Sequence, residues 1–205
     1  EVDRVTDLAV RIAKASGLQS KEPVDLGPPV TNRGSYITPI DIDPFKVSSQ
    51  RKLDVLLEAD RAMASVKGIR SRQGSLVFIR EEKTFANTEG AYLEQTIYES
   101  GGGIQATAVG SDEVQRRSYP QMNGRQKGCA GWEYISYLDI PGQAEKTASE
   151  AVALLTAPQC PVNSVTDVII GGSQLALQVH ESCGHPIELD RVLGAEAAYA
   201  GTSFL

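Results

Sequence analysis

The chain has 205 residues, 41% of them hydrophobic and 22% charged, enough apolar material for one substantial core or two small ones. A net charge of −6 and a pI near 5.0 argue against a general nucleic-acid binder, which needs clustered Lys and Arg; only Arg70 with Arg72 and Arg116 with Arg117 are locally dense. No run approaches the about 18 apolar residues of a membrane span, EVDRVTDLAV lacks the shape of a signal peptide, and Cys129, Cys160 and Cys183 show no C-x-x-C spacing, so a reducing, cytoplasmic setting is expected.

Val2, Val5, Leu8, Ala9 and Ile12 recur at helical spacing, predicting an amphipathic helix over Glu1 to Ser16 with Gly17 as a left-handed cap. Leu18 to Ser49 is Pro-rich and weakly periodic and reads as a long extended connection over the surface. Ser48 or Ser49 can cap a second helix, Gln50 to Val66, ended by Gly68. Its apolar stripe is Leu53, Leu56, Leu57, Met63 and Ala64, with Asp60 at the rim or paired to a neighbour such as Arg61.

From Ile69 the period drops to two. Ser75 to Arg80, Lys83 to Ala86, Tyr92 to Glu99, Ile104 to Val109 and Glu113 to Tyr119 read as short strands of an antiparallel meander. Turns are expected at Asn87 to Gly90, Gly101 to Gly103 and Gly110 to Asp112. The triple glycine lacks the Lys-Ser/Thr and following helix of a phosphate loop, so a tight or bulged hairpin is expected there. Gln121 to Gly131 is a polar, glycine-rich loop, and Trp132 to Ile135 resume apolar character. Pro141-Gly142 marks a turn before a helix from Gln143 to Ala157, with Ala148, Ala151, Val152 and Leu155 on its apolar face, stopped before Pro158. Val165 to Ile170 reads as a short buried strand, Gly171-Gly172 as a turn, and Ser173 as the cap of a helix whose apolar face is Leu175, Ala176 and Val179.

That last helix delivers the chemically specific stretch, LALQVHESCGHPIELD, where the only two histidines, His180 and His185, flank Glu181. Two imidazoles and a carboxylate within six residues suit a divalent metal with a base beside it. The familiar zinc-protease pattern H-E-x-x-H stacks its histidines at i and i+4. Here the spacing is H-E-x-x-x-H, and five steps of roughly 100° leave the rings about 140° apart on a regular helix. A shared metal therefore requires either a π-bulge or a helix ending at Gly184, with Gly184 and Pro186 letting His185 swing back. Glu188 and Asp190 could orient the imidazoles, add a ligand, or pair with Arg191. Cys183 is a soft ligand by type, but two residues before His185 it would point to another side of any regular turn, and the favoured reading is a small buried side chain. Two protein ligands fall short of the three that catalytic zinc sites present.

HESCGHPIELDRVLG with AGTSFL, the upstream TDVIIGGSQLALQ, and the segments REEKTFANTEGAYLEQT, GIQATAVG and EVQRRSYP together resemble the TldD/PmbA family, also known as modulators of DNA gyrase. The resemblance covers nearly the whole chain. It implies a cytosolic zinc-dependent peptidase acting on unfolded or extended peptides, with His180 and His185 as metal ligands and Glu181 as catalytic base. It also implies a homodimer, or a heterodimer with a related subunit, and a third zinc ligand, a cysteine, in a C-terminal β-rich domain. No position here corresponds to that cysteine.

The expected fold is α+β: an antiparallel β-meander packed with amphipathic helices, followed by a strand-turn-helix carrying the H-E-x-x-x-H motif. The expected domains are 1–160, an N-terminal-type α+β domain incomplete at its start, and 161–205, the truncated start of the metalloprotease C-terminal domain. The absent initial methionine and the uncapped end GTSFL read as those of an internal fragment, in which the zinc site is incomplete. The alternative function is a metal-free module that binds a topoisomerase or a sister subunit; direct nucleic-acid and membrane binding are not expected.

Overall fold

Two 18-residue strands, β2 (Ile69–Ala86) and β3 (Tyr92–Val109), set the architecture. The structure is a computed structural model describing residues 1–19, 27–121, 124–160 and 163–205. The fold is α+β as expected: a five-stranded sheet in the order β1-β3-β2, with β4 and β5 also pairing β3, accompanied by helices. The chain divides into two compact units, residues 1–36 with 83–95, and residues 37–82 with 96–205. No described helix is long and apolar enough to cross a membrane.

In the first unit, α1 (Val2–Gly17) forms where the apolar spacing predicts it, but Gly17 is helical and Leu18 stays right-handed at φ −68°, so the left-handed cap is not formed. None of its residues is buried. The turn after β2 is built by Asn87, whose side-chain carbonyl accepts from Ala91 N at 2.8 Å, and by Gly90 at φ +107°, a backbone region costly for other residues. The connection expected over residues 18–49 contains an unforeseen strand, β1 (Arg33–Ile37). Tyr92 N donates to Asn32 O, and Arg33 Nε donates to Gly90 O, so this strand is specified by the neighbour it pairs with rather than by its own RGSYI. Residues 20–26 of that connection lie outside the described residues.

In the second unit, α2 (Ser49–Ala64) is capped by Ser48, whose hydroxyl accepts from Arg51 N at 3.2 Å. Its buried residues are Val55, Ala59 and Met63, spaced by four; Leu53 and Leu57, expected in the apolar stripe, are half exposed. The helix is rotated from the predicted face because small Ala59 permits close approach and Val55 packs into a cluster with Trp132 and Ile135. Asp60 pairs with Arg72 of β2 at 2.7 Å rather than with Arg61.

The triple glycine does not turn the chain. Gly101, Gly102 and Gly103 run through the middle of β3, merging two predicted strands into one, just as the segments before Ala86 merge into β2. A Cβ on Gly101 would come 2.7 Å from Lys127 Cα, and one on Gly102 would come 2.6 Å from Ser75 O; at Gly103 it would run into the carbonyls of Gly124 and Tyr119. The glycines are there for close backbone approach, not for a bend. Antiparallel to β3 lie β4 (Val114–Tyr119), from Ile104↔Tyr119 to Val109↔Val114, and β5 (Gln126–Gly128), at Ser100↔Gly128 to Gly102↔Gln126. The short β5 was expected to be part of a loop; Met122 and Asn123 of that loop lie outside the described residues.

Beyond it, α3 (Glu133–Leu138) and α4 (Ile140–Leu154) meet at Asp139, left-handed at φ +46°, whose carboxylate accepts from Gly142 N. Pro141 and Gly142 are therefore the first turn of α4 and not a turn before it. Proline fits there because that position has no use for an N–H, and Gly142 because a Cβ would strike the Asp139 carboxylate. Ala144, Ala148 and Ala151 of α4 are fully buried in one cluster with Ala106, Ala108 and Ile104 of β3 and Met63 of α2. Alternation along β3 sends residues 104, 106 and 108 inward, and small side chains on helix and strand let the two elements approach closely.

Residues 163–205 differ in texture: none is fully buried. Val165 to Ile170 forms no strand; Val165, Val168 and Ile169 are largely exposed, and no described strand pairs with them. Apolar β-branched residues favour a strand only when a ladder and a covering face are supplied.

Candidate metal centre

Helix α5 (Gly172–Val179) starts two residues earlier than expected, with Gly171 as the residue before it and Ser173 inside the first turn making no capping bond. Its Leu175 and Val179 are half exposed rather than buried. After Val179 the helical winding widens: His180–Gly184 is a π turn, in which His185 N donates to His180 O, five residues back. A 3-10 turn, His185–Ile187, follows, with Pro186 inside it, and Glu188 N donates to His185 O at 3.2 Å.

The π turn resolves the awkward spacing. Five residues over one wide turn bring His180 and His185 to the same side, their rings edge to face with centroids 4.5 Å apart. Of the two sequence-based options, the bulge is realised; the chain does not break at Gly184, whose φ is −63° and whose absent Cβ would meet only Val179 O at 3.8 Å.

Glu181 lies between the rings. Its Oε1 is 3.8 Å from His180 Nε2 and its Oε2 is 3.9 Å from His185 Nε2, so both imidazoles present Nε2 to one carboxylate. One ligand atom from each of these three residues lies within 4.8 Å of the others, and among the described residues this is the one such group of three. Donors 2.0–2.1 Å from a tetrahedral ion stand about 3.4 Å apart, so the group as it stands, spread over up to 4.8 Å, is wider than a closed site. Two neutral nitrogen donors and a carboxylate suit zinc or another borderline divalent ion.

Glu188 and Asp190 separate in role. Glu188 Oε1 bonds His185 Nδ1 at 2.8 Å, and its Oε2 is 3.9 Å from Arg191 Nε, whereas Asp190 accepts from Arg191 N. Cys183, expected as a buried side chain, is exposed and stands outside the ligand group. One contact had no signal in the sequence: Ser203 Oγ donates to Pro186 O, 17 positions back, tying the end of the chain to the turn that carries the motif's second histidine.

Residues 42–155, more than half the chain, match the family described as the PmbA/TldA metallopeptidase central domain. The chain is also similar to a metalloprotease of Methanothermobacter thermautotrophicus, 26% identical over 98% of this chain, and to metalloprotease MJ0996 of Methanocaldococcus jannaschii, 23% identical over 97%. A metalloprotease of Archaeoglobus fulgidus is 21% identical over 84% of it. The chain spans about two fifths of the length of these curated relatives, 42%, 42% and 38% respectively. The matched domain lies ahead of the histidines, while the two alignments covering 97% or more of the chain extend through them. On the strength of the matched domain, this chain belongs to the PmbA/TldA (TldD/PmbA) metallopeptidase family.

Proposed function

We propose that the whole protein is a zinc peptidase that hydrolyses unfolded or extended peptides, with His180 and His185 as metal ligands and Glu181 as the general base. The observation that carries this reading is the convergence of both Nε2 atoms on the Glu181 carboxylate through the π turn. Zinc bound there supplies Lewis-acid polarisation of the scissile carbonyl and makes a water easier to deprotonate. Glu181, between the rings, accepts the proton of the attacking water and returns it to the departing amine. His180 and His185 turn their Nε2 atoms toward the Glu181 carboxylate.

A third ligand comes from outside the described group, a cysteine by resemblance, so residues 1–205 alone bind zinc weakly and do not turn over peptide. In this reading 1–160 is a supporting α+β domain, 161–205 begins the catalytic domain, and the protein works in the cytoplasm as a dimer with itself or a related subunit. Replacing Glu181 by Gln in the whole protein should reduce peptide hydrolysis at least 10²- to 10⁴-fold while zinc stays bound. Undiminished hydrolysis would sink the assignment. Persistent lack of metal in whole protein prepared without chelators would favour a metal-free interaction module instead.

A further inference from the structure

Of the two histidines, only one has a carboxylate on its outer nitrogen. His185 Nδ1 lies 2.8 Å from Glu188 Oε1, and a carboxylate can only accept, so the ring presents Nδ1–H to it, which in the neutral imidazole leaves the lone pair on Nε2. That Nε2 is the atom facing Glu181. Glu188 is fixed from several sides: its N–H closes the 3-10 turn onto His185 O, and Arg191 Nε lies 3.9 Å from its second oxygen. Arg191 Nε is buried with no hydrogen-bond partner of its own and has the Glu188 carboxylate at 3.9 Å, while Asp190 accepts from the Arg191 backbone. The His185 side chain is 34% exposed and that of His180 62%.

We propose that Glu188 is a positioning residue: buttressed by Arg191, it locks His185 in the Nδ1–H tautomer and aims its Nε2 into the metal site. This rests on the metal reading of His180 and His185. A carboxylate on the outer nitrogen also raises the basicity of the inner one, and such partners are worth 10- to 100-fold in metal affinity in other proteins. Nothing comparable is available to Asp190, which is turned to the backbone.

The test uses whole protein in three forms, wild type, Glu188→Ala and Glu188→Gln, with zinc affinity measured by chelator competition and the His185 ring nitrogens read by ¹⁵N NMR without metal. Glu188→Ala should weaken zinc about 10- to 100-fold and release the ring into mixed tautomers. Glu188→Gln, whose amide oxygen still accepts from Nδ1–H, should restore the tautomer and most of the affinity. Zinc binding by Glu188→Ala within about threefold of wild type overturns the proposal and leaves the metal reading standing. Absence of zinc binding in wild type overturns both. If Glu188→Ala does not fold, the wild-type ring decides: a proton on Nε2 rather than Nδ1 overturns the proposal.

Discussion

Gly103→Ala in β3 tests whether the triple glycine is a packing device. The added Cβ would strike the carbonyl oxygens of Gly124 and Tyr119, and would stand 2.8 Å from the Gly124 carbonyl carbon. Overpacking costs about 1–3 kcal/mol when side chains can yield. Here the obstructing atoms are backbone on two separate segments, one of them held in register by Ile104↔Tyr119, so about 3 kcal/mol is expected. With a urea slope of about 2 kcal/mol/M, the unfolding midpoint should fall by about 1.5 M. Trp132, the single tryptophan, is buried and stacked on Phe78 at 5.8 Å, which makes its fluorescence a direct reporter of this unit. Gly34→Ala is the control: it also sits in a strand, nothing lies within 4 Å of its added Cβ, and it should change stability by less than about 0.5 kcal/mol. A Gly103→Ala midpoint indistinguishable from that of Gly34→Ala would refute the close-approach argument.

Two further predictions concern a half-buried carboxylate and the π turn. Burial pushes the Glu133 carboxyl up, but N–H groups of Glu133 itself, Gly131, Ile42 and Asp41 together outweigh it and hold the group below the ordinary carboxylate range. Its contribution is therefore full above the unfolded value of about 4.3 and lost as pH falls through the lower folded value. Acid titration of stability should show that loss in wild type and a flatter profile in Glu133→Gln, with about 1–3 kcal/mol less stability at neutral pH; identical profiles would contradict it. Gly184→Ala should leave zinc affinity within about twofold, because φ is −63° and the new Cβ makes only an ordinary contact with Val179 O. Loss of binding by calorimetry would mean that the turn needs glycine's freedom after all.

The sequence by itself determined the features governed by neighbours along the chain. Ser48 and the helix it caps, Asn87 and Gly90 in their turn, and the alanine face of α4 follow from hydrogen bonds and periodicity within a few residues. The spacing of His180 and His185 belongs to this class too: helical geometry alone required a wide turn or a break if the rings were to meet. Tertiary structure decided whatever depends on a distant partner. Gly101 to Gly103 carry the local signature of a turn, yet they lie mid-strand because the backbones at Ser75, Lys127, Gly124 and Tyr119 leave no room for a Cβ. Arg33–Ile37 and Gln126–Gly128 have weak intrinsic preference and become strands by pairing with β3, while Val165 to Ile170, with strong preference and no described partner strand, does not. The same division runs through the metal centre. The candidate ligand types and the need for either a wide turn or a break were legible in HESCGH, but the choice between those two, and of Glu188 over Asp190 for His185, was not. Both acids are near in sequence, and only the 3-10 turn at Pro186 decides which carboxylate reaches the ring.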